Sequence, residues 1–66
     1  MIFTPRNIFD FRDGEYRAKK GVLTFRLYED GWLVRFTPYD APASPVSTIE
    51  GQNVFSACFF ANERLD

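Results

Sequence analysis

The sequence predicts a mainly β fold, a four- to five-stranded antiparallel meander whose aromatic face is covered by the C-terminal segment. Three turn signals, at 12–15, 19–22 and 29–32, divide residues 8–37 into short segments of alternating pattern. Two of the signals contain Asp-Gly, which is a strong hairpin signal because Gly readily adopts positive φ. Aromatic residues make up 18% of the 66-residue chain, enough for a substantial core. A chain of this length, 1–66, forms a single domain.

The strands follow from pairing the residues on either side of each turn, with the turns centred on Asp13-Gly14, Lys20-Gly21 and Asp30-Gly31. The predicted strands are at about 8–12, 15–19, 22–29 and 32–37. The three registers agree on one apolar face, and a shift by a single residue would destroy that agreement. The middle turn also suits a three-residue loop with Gly21 in a bulge. The predicted apolar face comprises Phe9, Phe11, Tyr16, Ala18, Leu23, Phe25, Leu27, Trp32, Val34 and Phe36.

Two further segments flank the predicted meander. Residues 38–47 hold three of the four prolines, which cannot donate to a strand ladder, and form a Pro-rich connection to the C-terminal segment. At the other end, the first residues are expected to add a short edge strand before Pro5, and Pro5 and Arg6 would protect that edge from further pairing.

The C-terminal segment is compatible with a strand or a helix. As a strand it is apolar on both sides over 54–60, and its content of Val, Phe and Cys favours this form. The alternative is a helix over about 53–64, packed on the sheet, for which Asn53 is a plausible N-cap. In the helix, one apolar stripe would comprise Val54, Ala57, Cys58, Ala61 and Leu65. In either form the segment covers the aromatic face, because no other part of the chain remains to do so.

The composition excludes several classes of site. Cys58 is the only cysteine and the chain has no histidine, so no disulfide forms within it and the common zinc sites are ruled out. Catalytic Ser–His and Cys–His pairs are ruled out as well. We therefore expect no enzyme, no metal and no cofactor, and a buried thiol at Cys58. The N-terminus lacks a signal-peptide pattern and no apolar run reaches membrane-spanning length, which predicts a cytoplasmic protein.

The charged face of the predicted sheet is the candidate interaction surface. The turn-centred registers place one row of charges across it: Arg12, Glu15, Arg26 and Arg35. Three positive charges share one carboxylate in this row, and Tyr28 pairs with Leu33 beside it. Tyr and Arg are enriched among the residues that dominate binding energy at interfaces. The predicted partner-binding residues are Arg12, Arg26, Tyr28, Leu33 and Arg35; the alternative is a face that is only solvated.

Three functions fit this architecture. The first is a small non-catalytic protein–protein interaction module that blocks an acidic surface of a larger protein or ribonucleoprotein complex. Phages and mobile elements encode many inhibitors of this size, anti-CRISPR-like proteins among them, which is an analogy of size and style. The second is a nucleic-acid-binding β-sheet module, which the net charge of −1 makes the weaker hypothesis. The third is an accessory subunit of an assembly, and a homodimer is also compatible with so short a chain.

Overall fold

Four antiparallel strands and one helix form the fold in a computed structural model, which describes residues 1–41 and 47–66. The strands are β1 (Glu15–Arg17), β2 (Gly21–Tyr28), β3 (Gly31–Pro38) and β4 (Ser47–Gln52), and the helix is α1 (Val54–Asn62). Strand order in the sheet is β1-β2-β3-β4, so every neighbour in the sheet is also a neighbour in the sequence. The predicted antiparallel meander is confirmed, and the C-terminal segment takes the helical alternative. Of the predicted Pro-rich connection, residues 42–46 lie outside the described residues.

The predicted first strand over 8–12 is wrong, because Ile8–Phe11 form a 3-10 helix. Reciprocal hydrogen bonds start this turn: the Thr4 N–H donates to Asn7 Oδ1 at 2.9 Å, and the Asn7 N–H donates to Thr4 Oγ1 at 3.1 Å. A 3-10 helix repeats every three residues, so Ile8 and Phe11 share the inward side. The alternation of Phe9 with Phe11 suggested a strand, whereas Phe9 is half exposed. The fourth strand of the meander is β4.

Both remaining hairpin registers differ from the predicted ones by two residues. Tyr16 lies opposite Leu23, and Phe25 lies opposite Val34, where Phe25 and Phe36 were expected as their respective partners. Because the difference is an even number, the apolar side chains of β1, β2 and β3 keep their predicted face. The two-residue loops are Lys19-Lys20 and Glu29-Asp30, and the glycine after each loop is the first residue of the next strand.

Close backbone approach explains why both glycines lie inside strands. A Cβ at Gly21 would collide with the carbonyl oxygen of Thr37, and a Cβ at Gly31 would lie 2.7 Å from the carbonyl oxygen of Gln52. Gly31 also has φ of 132°, which disfavours other residues. Each of these positions therefore requires a glycine, because the neighbouring strand leaves no room for a side chain. The two polar residues before each glycine form the loop.

Phe3 is the centre of the aromatic core, although residues 1–4 form no strand. Its ring lies 5.1 Å from Phe11, 5.4 Å from Tyr16 and 5.1 Å from Phe25, measured between centroids. The Phe3 N–H donates to Asn62 Oδ1 at 2.7 Å, and Asn62 Nδ2 donates to the Phe3 carbonyl at 2.9 Å. One side chain at the end of α1 therefore replaces the strand pairing that was expected for the N-terminal segment.

Helix α1 covers the rest of the aromatic face. Asn53 is its N-cap, as the helical alternative predicted, and its Oδ1 accepts the Ser56 N–H at 2.9 Å. The small side chains of Ala57, Cys58 and Ala61 are buried against the sheet. Small residues at these positions let the helix approach β3 and β4 closely, which shields the sheet face from water.

Replacing Phe3 with Ala tests this core. The variant should lose about 3–5 kcal/mol of unfolding free energy, because it removes a buried ring that contacts three others. Urea denaturation followed by far-UV circular dichroism measures the loss. Phe9→Ala is the matched control and should cost far less, since Phe9 is 47% exposed. Equal stability of the Phe3 variant and the wild type would contradict this description of the core.

Candidate interaction surface

The sheet face that points away from the core and α1 is called the outer face here. Alternation along each strand sends the polar side chains to this face while Leu23, Phe25 and Val34 are buried on the other. The register places the following side chains on it: Glu15, Arg17, Val22, Thr24, Arg26, Tyr28, Leu33, Arg35, Thr37 and Thr48. The outer face therefore corresponds to the charged face that the sequence predicts.

The corrected register changes how the two central arginines meet. Arg26 lies opposite Leu33, and Arg35 lies opposite Thr24, so the arginines are diagonal rather than opposite neighbours. Diagonal neighbours lie about 7–8 Å apart, which weakens the repulsion expected for directly opposed like charges. Tyr28 lies opposite Gly31, and not opposite Leu33 as predicted.

Four of the five predicted partner-binding residues line one open groove of about 400 Å³. These four are Arg26, Tyr28, Leu33 and Arg35, and Thr24 and Thr37 complete the lining. Arg12 does not belong to this groove: it follows the 3-10 helix as its C-cap, outside the sheet. The predicted charged row that joined Arg12 to Arg26 is therefore wrong, because it required a first strand that does not form.

The groove carries uncompensated positive charge. Across residues 1–41 and 47–66, the one ion pair joins Arg64 to Glu63 at 3.8 Å, and neither Arg26 nor Arg35 makes a side-chain hydrogen bond. The tip of the β2–β3 hairpin has the opposite sign. There, Tyr28 and Leu33 also border a second hollow that contains three acidic side chains, Glu29, Asp30 and Glu50. The outer face thus changes from basic to acidic along the hairpin.

A second exposed surface lies on α1 and was not predicted. Phe55 and Phe59 are 69% and 67% exposed, and they stand one turn apart on the same side of the helix. Between this pair and β4 runs a groove of about 400 Å³ to which Ile49 contributes. The signal was available in the sequence, because a helix that is apolar nearly all round needs cover on both sides. The sheet covers only one of them.

The remaining groups offer little chemistry. Cys58 is buried, as expected, and burial raises the pKa of its thiol above the ordinary value. Among the described residues, no three Cys, Asp or Glu side chains gather in a way that could hold a metal ion. No helix in that part of the chain has the length and apolarity needed to cross a membrane.

Comparisons with protein-family models, with curated proteins and with solved structures found no match to this chain.

Cys58 provides a test of the α1 packing. Near neutral pH the folded protein should react with iodoacetamide at least tenfold more slowly than the urea-unfolded protein, because the thiolate is the reactive form and burial disfavours it. Mass spectrometry of timed samples measures the rate. The unfolded thiol deprotonates first as the pH rises above about 8.5, so stability should fall there relative to Cys58→Ala. Equal alkylation rates in the folded and unfolded states would show that packing of α1 on the sheet does not shield the Cys58 thiol.

Proposed function

We propose that this protein is a non-catalytic protein–protein interaction module that binds an acidic surface of a larger protein or ribonucleoprotein complex through its outer face. The observation that carries the proposal is the pair Arg26 and Arg35, which share an exposed groove with Tyr28 and form no ion pair within the described residues. Guanidinium groups without internal partners are free to bind carboxylates on another molecule in bidentate geometry.

The groove combines this charge with apolar surface. Tyr28 is 56% exposed, and Leu33, which lies opposite Arg26, is partly exposed beside it. Burial of such side chains supplies binding energy, whereas the arginines supply specificity and a faster encounter with an acidic partner. The acidic hairpin tip favours one orientation of that partner, because it repels carboxylates at one end of the groove.

The mode of action that we propose is inhibition by occupying a surface, of the kind that phage and mobile-element proteins such as anti-CRISPR-like inhibitors use. A standard interface buries about 800 Å² on each partner. This chain exposes 4474 Å² in the described residues, so one such interface would take nearly a fifth of its surface. A protein of this size can therefore devote one whole face to a partner.

Binding of single-stranded nucleic acid is less well supported by the same surface. Stacking of successive bases requires several exposed aromatic rings in a basic groove. Tyr28 is the one aromatic ring that lines the groove. Tyr39 is tied down elsewhere, since its hydroxyl donates to the Ala18 carbonyl at 3.0 Å.

Charge reversal tests the proposal. Arg26→Glu combined with Arg35→Glu should weaken binding to the partner at least tenfold, about 1.4 kcal/mol, because attraction to acidic groups becomes repulsion. Added salt should then strengthen the residual binding of the variant, whereas it weakens binding of the wild type. The wild type first captures its partner from a lysate of its own host, mass spectrometry identifies it, and titration of the purified pair gives the Kd.

Lys19→Glu combined with Lys20→Glu is the matched control. It changes the net charge by the same amount but lies in the β1–β2 loop, so the partner should still bind. Equal affinity of the Arg26/Arg35 double variant and the wild type would contradict the proposal. Tight, salt-sensitive binding of the wild type to a single-stranded oligonucleotide, measured by fluorescence anisotropy, would contradict it in favour of the nucleic-acid hypothesis. A wild type that folds only with other subunits would instead indicate an accessory subunit.

A further inference from the structure

Strand β4 has one edge that pairs with no other strand in the described part of the chain. It is the last strand of the sheet, and no described strand pairs with its outer side. The hydrogen-bonding alternation can be followed from the Tyr39 N–H, which donates to the Lys20 carbonyl at 3.0 Å. Along an antiparallel strand, alternate residues form their backbone hydrogen bonds with opposite neighbours. Tyr39 bonds towards β2, so Val34, five residues earlier, bonds towards β4, where Ile49 is its partner. The backbone N–H and C=O of Thr48 therefore point away from the sheet and are available to another strand.

The open edge lies beside the exposed aromatic pair of α1. The groove between them is lined by Ile49 from β4, by Phe55, Phe59 and Phe60 from the helix, and by two polar side chains, Ser56 and Glu63. A strand that pairs with β4 would thus also cover this groove. Edge strands with free backbone groups and an adjacent apolar groove are typical sites of β-strand addition.

We propose that the occupant of this edge is a second copy of the same chain, whose β4 pairs antiparallel with the first to join the two four-stranded sheets. A two-fold axis through Thr48 gives the pair its two backbone hydrogen bonds, from each Thr48 N–H to the carbonyl of Thr48 in the second copy. Ser47 then lies opposite Ile49 of the second copy. An interface related by a two-fold axis must be self-complementary, and this register meets that requirement.

Charge is compatible with this self-pairing. Glu50 is the only charged residue of β4. In the register centred on Thr48, each Glu50 is offset by four residue positions from Glu50 of the second copy, about 13 Å along the strands. The strand pairing therefore sets no charges of β4 opposite each other. Glu63 lines the adjacent groove, where Arg64 lies 3.8 Å from its carboxylate and partly offsets its charge within each copy.

The helices fit the same arrangement. A two-fold axis perpendicular to the sheet keeps both copies of α1 on one face, and α1 packs over β3 and β4. With strands about 4.8 Å apart, each helix axis lies about 5–7 Å from the new seam, so the two axes are about 10–14 Å apart. Helices usually pack 8–10 Å apart. The large rings of Phe55 and Phe59 from both copies fill the difference.

The area that this contact removes from water is substantial for so small a protein. Phe55 and Phe59 are each about two-thirds exposed, and together they offer about 200–340 Å² per copy. That is a quarter or more of the roughly 800 Å² that each partner buries in a standard interface. The backbone of β4 and the rest of the groove add to it.

The dimer would also place two outer faces side by side on one continuous sheet. The row that contains Thr24, Arg35 and Thr48 runs across β2, β3 and β4 and would continue into the second copy. Two basic grooves would then face the same direction. The dimer interface uses other residues than the outer-face groove, so either proposal can fail without the other.

Sedimentation equilibrium over a dilution series from about 1 mM to about 1 μM tests the dimer. The wild type should change from twice the chain mass of 7.7 kDa to that mass as it is diluted. Thr48→Pro removes the N–H that points out of the sheet, whereas the hydrogen bonds to β3 come from the residues on either side of Thr48. Phe59→Glu places a charge at the contact between the two copies. Each should raise the dissociation constant at least tenfold. In hydrogen exchange of the wild type, the Thr48 amide should lose protection on dilution.

Tyr28→Glu is the matched control, since it charges an exposed aromatic residue away from the seam and should leave the dimer intact. Circular dichroism establishes that each variant is folded. A wild type that stays at 7.7 kDa throughout the series would overturn the proposal, whether or not the edge then binds an extended peptide. A dimer that survives both seam variants, or that only Tyr28→Glu dissociates, would overturn it as well.

Discussion

The fold depends on covering one aromatic face of a single sheet. Phe25 is fully buried in the middle of that face, and the two ends of the chain lie over it. Phe3 arrives from the N-terminus and packs on Phe25 at 5.1 Å between ring centroids, and α1 arrives from the C-terminus. The side chain of Asn62 joins the two covers by binding both backbone groups of Phe3. A sheet of this size cannot bury its aromatic side chains by itself, so sheet, N-terminal segment and helix are stable only together.

The division of side chains between the two faces is predictable because it depends only on alternation. The registers of the hairpins are not predictable in this way, because a shift by two residues leaves the alternation unchanged. Both Phe25–Phe36 and Phe25–Val34, for example, pair apolar residues. The close approach of the backbone at Gly21 and Gly31 decides between them, and it depends on contacts with β3 and β4 that lie far away in sequence. The prediction of a first strand over 8–12 is wrong for a similar reason, because the pattern of Ile8, Phe9 and Phe11 suits both a strand and a 3-10 helix. The hydrogen bonds between Thr4 and Asn7 select the turn.

The residues of the candidate site could be predicted only as far as the sequence predicts which face of the sheet each side chain lies on. Arg26, Tyr28, Leu33 and Arg35 depend on alternation alone and share a groove. Arg12 depended on a register that included the absent strand, so the structure places it elsewhere. The aromatic surface of α1 was not predicted, because as a strand the segment is apolar on both sides over 54–60 and nothing sets Phe55 and Phe59 apart. The basic groove and the exposed aromatic pair of α1 lie on different sides of the molecule, so the two proposed interfaces do not overlap.

The register of β2 against β3 is the claim on which the layout of the outer face depends. Phe25 and Val34 form a pair without direct hydrogen bonds, because the bonded pairs alternate with it, and such pairs have the shorter Cα separation of about 4.5 Å. A nuclear Overhauser spectrum of the labelled protein reports directly on that distance. We predict a strong cross-peak between the Hα protons of Phe25 and Val34. A strong cross-peak between the Hα protons of Phe25 and Phe36 would contradict the account, because it would set Arg26 directly opposite Arg35.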